Sequence, residues 1–124
     1  MKFRFEKLEI WQDARQLVNE IYNLTKSFPP SERFGLIDQL RRAIVSVALN
    51  IAEGTNRKTD KDRKHFFQMS ITSVDEVVTA LYVALDQGYI KKVDFDKLYE
   101  LCAKQTARTA FFIQRMPKGE WQKA

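Results

Sequence analysis

The residues of this sequence that are best suited to chemistry are its cations, one group of which surrounds a predicted helix start. The sequence carries a formal net charge of +5, a moderate excess that is compatible with binding polyanions. Free backbone amides and the helix dipole favour anions at such a position. The group therefore predicts a candidate phosphate-binding cluster. Its members are Arg57, Lys58, Lys61, Arg63 and Lys64.

A second group of cations lies on the last predicted helix. Lys97, Lys104, Arg108 and Arg115 are spaced seven, four and seven residues apart. At the helical rotation they fall within about 20° of one line, with Phe111 beside it. A row of this kind could follow a phosphate backbone, with each neutralised phosphate releasing counterions. The alternative is a solvated face with scattered cations, and no motif for reading bases is present.

The second predicted helix carries a narrow polar ridge, which consists of Arg42, Ser46, Asn50 and Glu53. The Arg and the Glu are eleven residues apart, too far for a direct pair along one helix. We expect both to find partners elsewhere, with Ser73 and Glu76 of the third helix as candidates. The ridge is either a ligand pocket or a satisfied polar network that fixes helix register or a subunit contact. The network is favoured, because no nucleophile and base lie near.

The same helix is apolar nearly all round. Leu40, Ile44 and Val47 belong to one apolar face, yet Leu49 lies beside the polar ridge on the other side. A surface helix of a small domain usually has one apolar stripe and a broad polar face. We therefore expect the chain to assemble with copies of itself through its second and third helices, with Leu49 in the interface.

The residue types that catalysis or metal binding would require are scarce. His65 is the only histidine, whereas a di-iron bundle needs two acidic-x-x-His motifs and further carboxylates. Cys102 is the only cysteine and has no His or carboxylate at a helical neighbour position to activate it. We expect a protein that is not an enzyme, without metal or cofactor. The lone cysteine, the absence of a signal peptide and the lack of a membrane-spanning apolar run predict a cytoplasmic location without membrane contact.

Four helices must position these residues. Helical periodicity and the breakers predict them at about residues 9–26, 37–53, 60–87 and 94–116, in a single domain of residues 1–124. Asp38 and Asp94 are candidate N-caps, and Gly54 is the expected terminator of the second helix. Short connections favour antiparallel neighbours, so the predicted fold is an all-α, up-down-up-down four-helix bundle.

The sequence resembles a known family over essentially its whole length. The segments that carry the likeness are Leu8–Trp11, Glu32–Leu36, Gln39–Ala43 and Asn50–Gly54, the last followed by Arg57. They are similar to the four-helix-bundle proteins found in intervening sequences of bacterial 23S rRNA genes, often labelled ribosomal-protein-like. This family is related to the accessory variability determinant of diversity-generating retroelements. One departure is Val47–Leu49, where relatives often have Ile-Pro-Ser.

The resemblance implies a homo-oligomer, typically a ring of five, with no known catalysis. It also implies basic surfaces that bind RNA or DNA and a reverse transcriptase in the retroelement members. A ring would repeat each basic cluster around one rim, which strengthens a weak site. The leading hypothesis is thus an accessory protein that binds nucleic acid electrostatically. The alternative is a scaffold that docks a partner protein, with charge serving solubility.

Overall fold

A computed structural model of the chain describes residues 1–116. Within that range the structure contains helices and no strand, and this confirms the predicted all-α fold. The four α-helices are α1 (Glu9–Thr25), α2 (Leu36–Thr55), α3 (Asp60–Asp86) and α4 (Lys92–Gln114). Short 3-10 helices cover Arg4–Lys7 and Pro30–Glu32. Residues 117–124, the end of the expected single domain, lie outside the described part of the chain.

Two signals expected at the ends of α2 are wrong, namely Asp38 as the N-cap and Gly54 as the terminator. The helix begins at Leu36, because the Glu32 carboxylate accepts a hydrogen bond from the Leu36 amide at 3.0 Å. Asp38 therefore lies inside the helix rather than at its cap. At the other end the helix continues through Gly54. A Cβ atom at this glycine would lie 3.0 Å from the Phe67 ring, so its lack of a side chain serves the close approach of α3.

The ends of α3 agree more closely with the sequence pattern. The Thr59 hydroxyl caps the helix by accepting a hydrogen bond from the Asp62 amide at 3.1 Å. Gly88 follows the helix with a φ angle of +78°, a conformation that favours glycine.

In α4 the helix starts earlier than expected, with Lys91 at the N-cap, so Asp94 lies in the first turn instead.

The core lies between all four helices. The most extensive packing joins α2 to α3, followed by α1 to α2. Cys102 is one of the buried core residues. Its burial raises the pKa of the thiol to about 12, because removal from water disfavours the charged thiolate. The largest side chains that are fully withdrawn from solvent include Ile21, Leu40, Ile44, Ile51, Phe67 and Leu81.

The alternation of helix directions brings four chain segments to one end of the bundle. The Phe67 ring near the start of α3 meets the Phe112 ring near the end of α4, with centroids 5.3 Å apart. The 3-10 helix Arg4–Lys7 packs against both α1 and α2. We call this the basic end. It comprises residues 4–9, the α2–α3 connection at 56–59, the first turns of α3 and the last turns of α4.

Candidate nucleic-acid interface

The connection between α2 and α3 is shaped by a buried arginine. The Arg63 side chain is only 3% exposed. Its guanidinium donates to the Arg57 carbonyl oxygen at 2.6 Å and pairs with the Asp60 carboxylate at 2.5 Å. The structure corrects the candidate set here, because Arg63 holds the loop together from inside and presents no charge to a ligand.

Arg57 is also engaged, though it remains partly open. Its guanidinium lies 3.2 Å from the Glu53 carboxylate and 4.4 Å from the centre of the Phe66 ring. The side chain is 42% exposed, so it could still reach a phosphate on one side. The other three cations of this cluster are exposed, and none forms an ion pair within the described residues. They are Lys58, Lys61 and Lys64.

The row of cations on α4 is exposed, but α1 neutralises part of it. The Lys97 ammonium lies 3.5 Å from the Glu20 carboxylate. The Arg108 guanidinium lies 2.6 Å from the Asp13 carboxylate. These two ion pairs connect α4 to α1, so two of the four cations in the row stabilise the packing of the helices. The spacing of residues along α4 alone does not reveal such partners.

The row is also long. Eighteen residues separate Lys97 from Arg115, which corresponds to about 27 Å along a helix axis. Lys97 therefore lies in the half of the bundle remote from the basic end, whereas Arg115 lies at it. Lys104, between them, lines a cavity of about 220 Å³ together with Asp13. The structure thus divides the row, and only its last part is near the α2–α3 cluster.

Together these placements bring exposed cations from four chain segments to the basic end. The sequence pattern missed Lys7, which stands just before α1. The signal that could have found it is topological, since residues before the first helix share an end with the second connection in any up-down-up-down bundle. Two carboxylates near these cations, Glu9 and Asp62, are exposed. The exposed cations at this end include Arg4, Lys7, Arg57, Lys58, Lys61, Lys64 and Arg115.

A groove opens beside these cations. It has a volume of about 710 Å³ and lies between residues 7–10 and the last turns of α4. Phe111 lines the groove and is 57% exposed. The Arg115 guanidinium lies 5.4 Å from the centre of its ring.

The opposite end of the bundle carries charges of both signs. There the Lys92 ammonium pairs with the Asp96 carboxylate at 2.5 Å. Glu32 accepts a hydrogen bond from the Tyr89 hydroxyl at 2.9 Å. The amide of Leu36 and this hydroxyl lower the pKa of the Glu32 carboxyl, since both stabilise its ionised form.

The two residues at the centre of the polar ridge of α2, Ser46 and Asn50, form hydrogen bonds within the same chain. The hydroxyl oxygens of Ser46 and Ser73 lie 2.9 Å apart, in hydrogen-bond contact. The Asn50 side-chain amide donates to the Ser46 carbonyl oxygen at 2.9 Å and to its hydroxyl at 3.0 Å. This network joins α2 to α3.

The charged ends of the ridge have other partners than the expected ones. Arg42 lies 3.6 Å from the Asp38 carboxylate, and Glu53 pairs with Arg57, each one turn away on the same helix. Residues four apart on a helix face each other, so these pairs need no partner from α3. The expectation that Ser73 and Glu76 satisfy the two charges is therefore wrong, and Glu76 is exposed.

Leu49 projects from the outer side of α2. Its side chain is 63% exposed, and Val45, one turn before it, is half-buried. On the neighbouring α3, Met69 is 41% exposed. The chain's own core therefore leaves part of the apolar surface of these two helices uncovered.

In the part of the chain that the structure describes, no helix combines the length and the apolar character that crossing a membrane requires. Among the same residues no three or more His, Cys, Asp or Glu side chains gather in a way that could hold a metal ion.

Comparisons with known proteins agree with the fold. The family model described as 23S rRNA-intervening sequence protein matches residues 6–109. A crystal structure of a protein of unknown function from the S23 ribosomal protein family of Bacteroides thetaiotaomicron superposes with a TM-score of 0.75. The two chains are 14% identical, and the match covers 84% of this chain and 97% of that one. No curated protein matches the sequence.

Proposed function

The chain belongs to the family of 23S rRNA-intervening sequence proteins, and on that premise we propose that it is a non-catalytic homo-oligomer that binds nucleic acid through its basic end. The observation that carries the proposal is the gathering of exposed cations from four chain segments at one end of the bundle. At the opposite end the Lys92 ammonium pairs with the Asp96 carboxylate, and the Glu32 carboxylate adds a negative charge.

Binding of this kind is electrostatic. Each cation that neutralises a phosphate releases counterions, so affinity falls steeply as salt rises. Lysines such as Lys58 and Lys61 act as mobile point charges that suit phosphates without fixing a base sequence. The proposed target is therefore RNA or DNA that is recognised by its backbone, with little selection among sequences.

Assembly would multiply the effect. The exposed Leu49 and its half-buried neighbour Val45 supply apolar surface that a second copy could cover. In a ring, such as the pentamer implied by the resemblance, every copy would present its basic end on the same rim. Several weak sites on one polyanion then act together, provided that the strand can reach them.

Charge reversal at two lysines tests the proposal. Lys58→Glu with Lys61→Glu changes the basic end by four charge units. The matched control, Lys26→Glu with Lys91→Glu, makes the same change in net charge at the opposite end, where both residues are exposed. Fluorescence anisotropy with a labelled structured RNA at low salt should show a loss of about tenfold or more for the first pair only. Equal losses for both pairs would mean that net charge alone governs binding.

The second candidate function, a scaffold for a partner protein, is favoured by a different surface. Tyr82 is 47% exposed and Tyr99 is 40% exposed, with ring centroids 6.4 Å apart across α3 and α4. Val93, also on α4, is 69% exposed. Aromatic residues of this kind are enriched at protein interfaces. Docking there should tolerate high salt and the Lys58/Lys61 reversal, which separates the two candidates in one experiment.

A further inference from the structure

The groove beside the basic end has a volume and an apolar lining that binding to a phosphate backbone does not require. Its volume of about 710 Å³ lies within the range of sites that enclose small organic ligands. Apolar side chains such as Phe112 and Ile10 line it, and the exposed Phe111 stands among them. Cations on a flat surface are sufficient to bind a phosphate backbone. The aromatic lining of the groove therefore suits a ligand that also contains an aromatic group.

The charges around the groove fit an anionic ligand. Lys7, Arg108 and Arg115 line it, together with the carboxylate of Glu9. Arg108 is neutralised by Asp13 at 2.6 Å, so the charges that remain for a ligand are those of Lys7 and Arg115. The groove also lies at the start of α1, where Leu8 is the N-cap and makes no side-chain capping bond. The positive end of the helix dipole therefore adds to the potential of these side chains.

Phe111 has the properties of a stacking platform. Its ring is 57% exposed, and the Arg115 guanidinium lies 5.4 Å from the ring centre. Single-stranded nucleic acids bind to surfaces that pair such rings with cations, because every base has a face that stacks on an aromatic ring. In a duplex the faces of the bases are covered by their neighbours, so this platform has no use there.

We propose that the groove binds an unpaired nucleotide of a single-stranded nucleic acid, with its base stacked on Phe111 and its phosphate near Lys7 and Arg115. This inference rests on the proposed function, because the basic end holds the backbone of the same strand. It adds that the ring of Phe111 contributes to the binding of single strands and not of duplexes. The exposed lysines of the α2–α3 cluster act on the backbone of both forms.

The test compares Phe111→Ala with Phe34→Ala. Phe34 is the matched control, since its ring is 86% exposed and the Arg33 guanidinium lies 5.2 Å from the ring centre, but it lies at the opposite end of the bundle. The probes are a labelled oligouridine, an abasic oligomer of the same length, and an RNA duplex. At low salt Phe111→Ala should weaken oligouridine binding by about 5- to 150-fold, the effect of losing one stacked base. Phe34→Ala should change nothing, and Phe111→Trp should retain the affinity.

The failures are distinguishable. If the unaltered protein binds oligouridine and Phe111→Ala binds it equally well, the groove proposal is overturned while the proposed function stands. If Phe111→Ala weakens binding of all three probes alike, stacking is not its role and the groove proposal is again overturned. If the unaltered protein binds none of the probes at low salt, the proposed function itself fails. Circular dichroism checks that each variant keeps its helical content.

Discussion

Replacing Leu49 with Lys is expected to separate the copies of the chain without unfolding the bundle. Leu49 is 63% exposed in the single chain, so its side chain contributes little to the chain's own core. Exposed substitutions of this kind usually change the free energy of unfolding by no more than about 0.5 kcal/mol. In an assembly that covers this side of α2, the same position is an apolar contact between copies.

The expected magnitude follows from the exposed area and from the new charge. Full burial of a leucine side chain is worth about 1.5–3 kcal/mol, so the exposed part of Leu49 corresponds to about 1–2 kcal/mol per copy. A lysine buried at the contact without a partner costs about 3–5 kcal/mol more. Together these effects weaken each contact between copies by about three to five orders of magnitude in its dissociation constant.

Light scattering after size-exclusion chromatography measures the outcome at micromolar concentration. We expect the unaltered protein to have an oligomeric mass and Leu49→Lys to have the mass of one chain. Val93→Lys is the matched control, because Val93 is 69% exposed on α4, away from α2. An unchanged mass for Leu49→Lys would refute the assigned interface. Dissociation by Val93→Lys alone would mean that the copies meet through α4 instead.

Two further predictions concern the core. Gly54→Val should lower the free energy of unfolding by about 1–3 kcal/mol in a urea titration, because its Cβ would lie 3.0 Å from the Phe67 ring and 3.2 Å from the Arg63 carbonyl oxygen; an unchanged midpoint would show that α2 and α3 can separate at little cost. Cys102 should resist iodoacetamide at neutral pH until the protein is unfolded, since the thiol is buried and its pKa is about 12. Because this pKa is raised above the ordinary value of 9.0, the thiol's contribution to stability is complete below pH 9 and declines as the pH rises towards 12. The urea midpoint of the unaltered protein should therefore fall more over that range than that of Cys102→Ala, and parallel curves would contradict the assignment.

Much of the fold follows from local signals in the sequence. The apolar spacing in α1 and the capping hydroxyl of Thr59 identify helix positions without knowledge of the rest of the chain. Gly54 shows where this reasoning ends. A glycine near a helix end usually marks a terminator, but here the decisive contact is with Phe67 on the next helix. Only the packing of α2 against α3 reveals it.

The sequence predicted which types of residue make up the candidate site. It did not predict which of these side chains are buried or which form ion pairs. Exposed lysines of the α2–α3 connection are recognisable from the sequence, yet Arg63 among them is buried by its bonds to Asp60 and to the Arg57 carbonyl oxygen. The partners of Arg108 and Lys97 come from α1, far away along the chain, and spacing within α4 says nothing of them. Long-range ion pairs of this kind depend on which helices are neighbours.

Nucleic-acid binding by the basic end is tested most directly by asking whether the protein binds RNA in a salt-dependent manner. Light scattering of the purified protein with and without a structured RNA, at low and at high salt, measures the assembly and the complex together. We expect an oligomeric mass that rises with RNA at low salt and returns to that of the protein alone at high salt. An oligomer whose mass is indifferent to RNA at low salt would contradict nucleic-acid binding by the basic end.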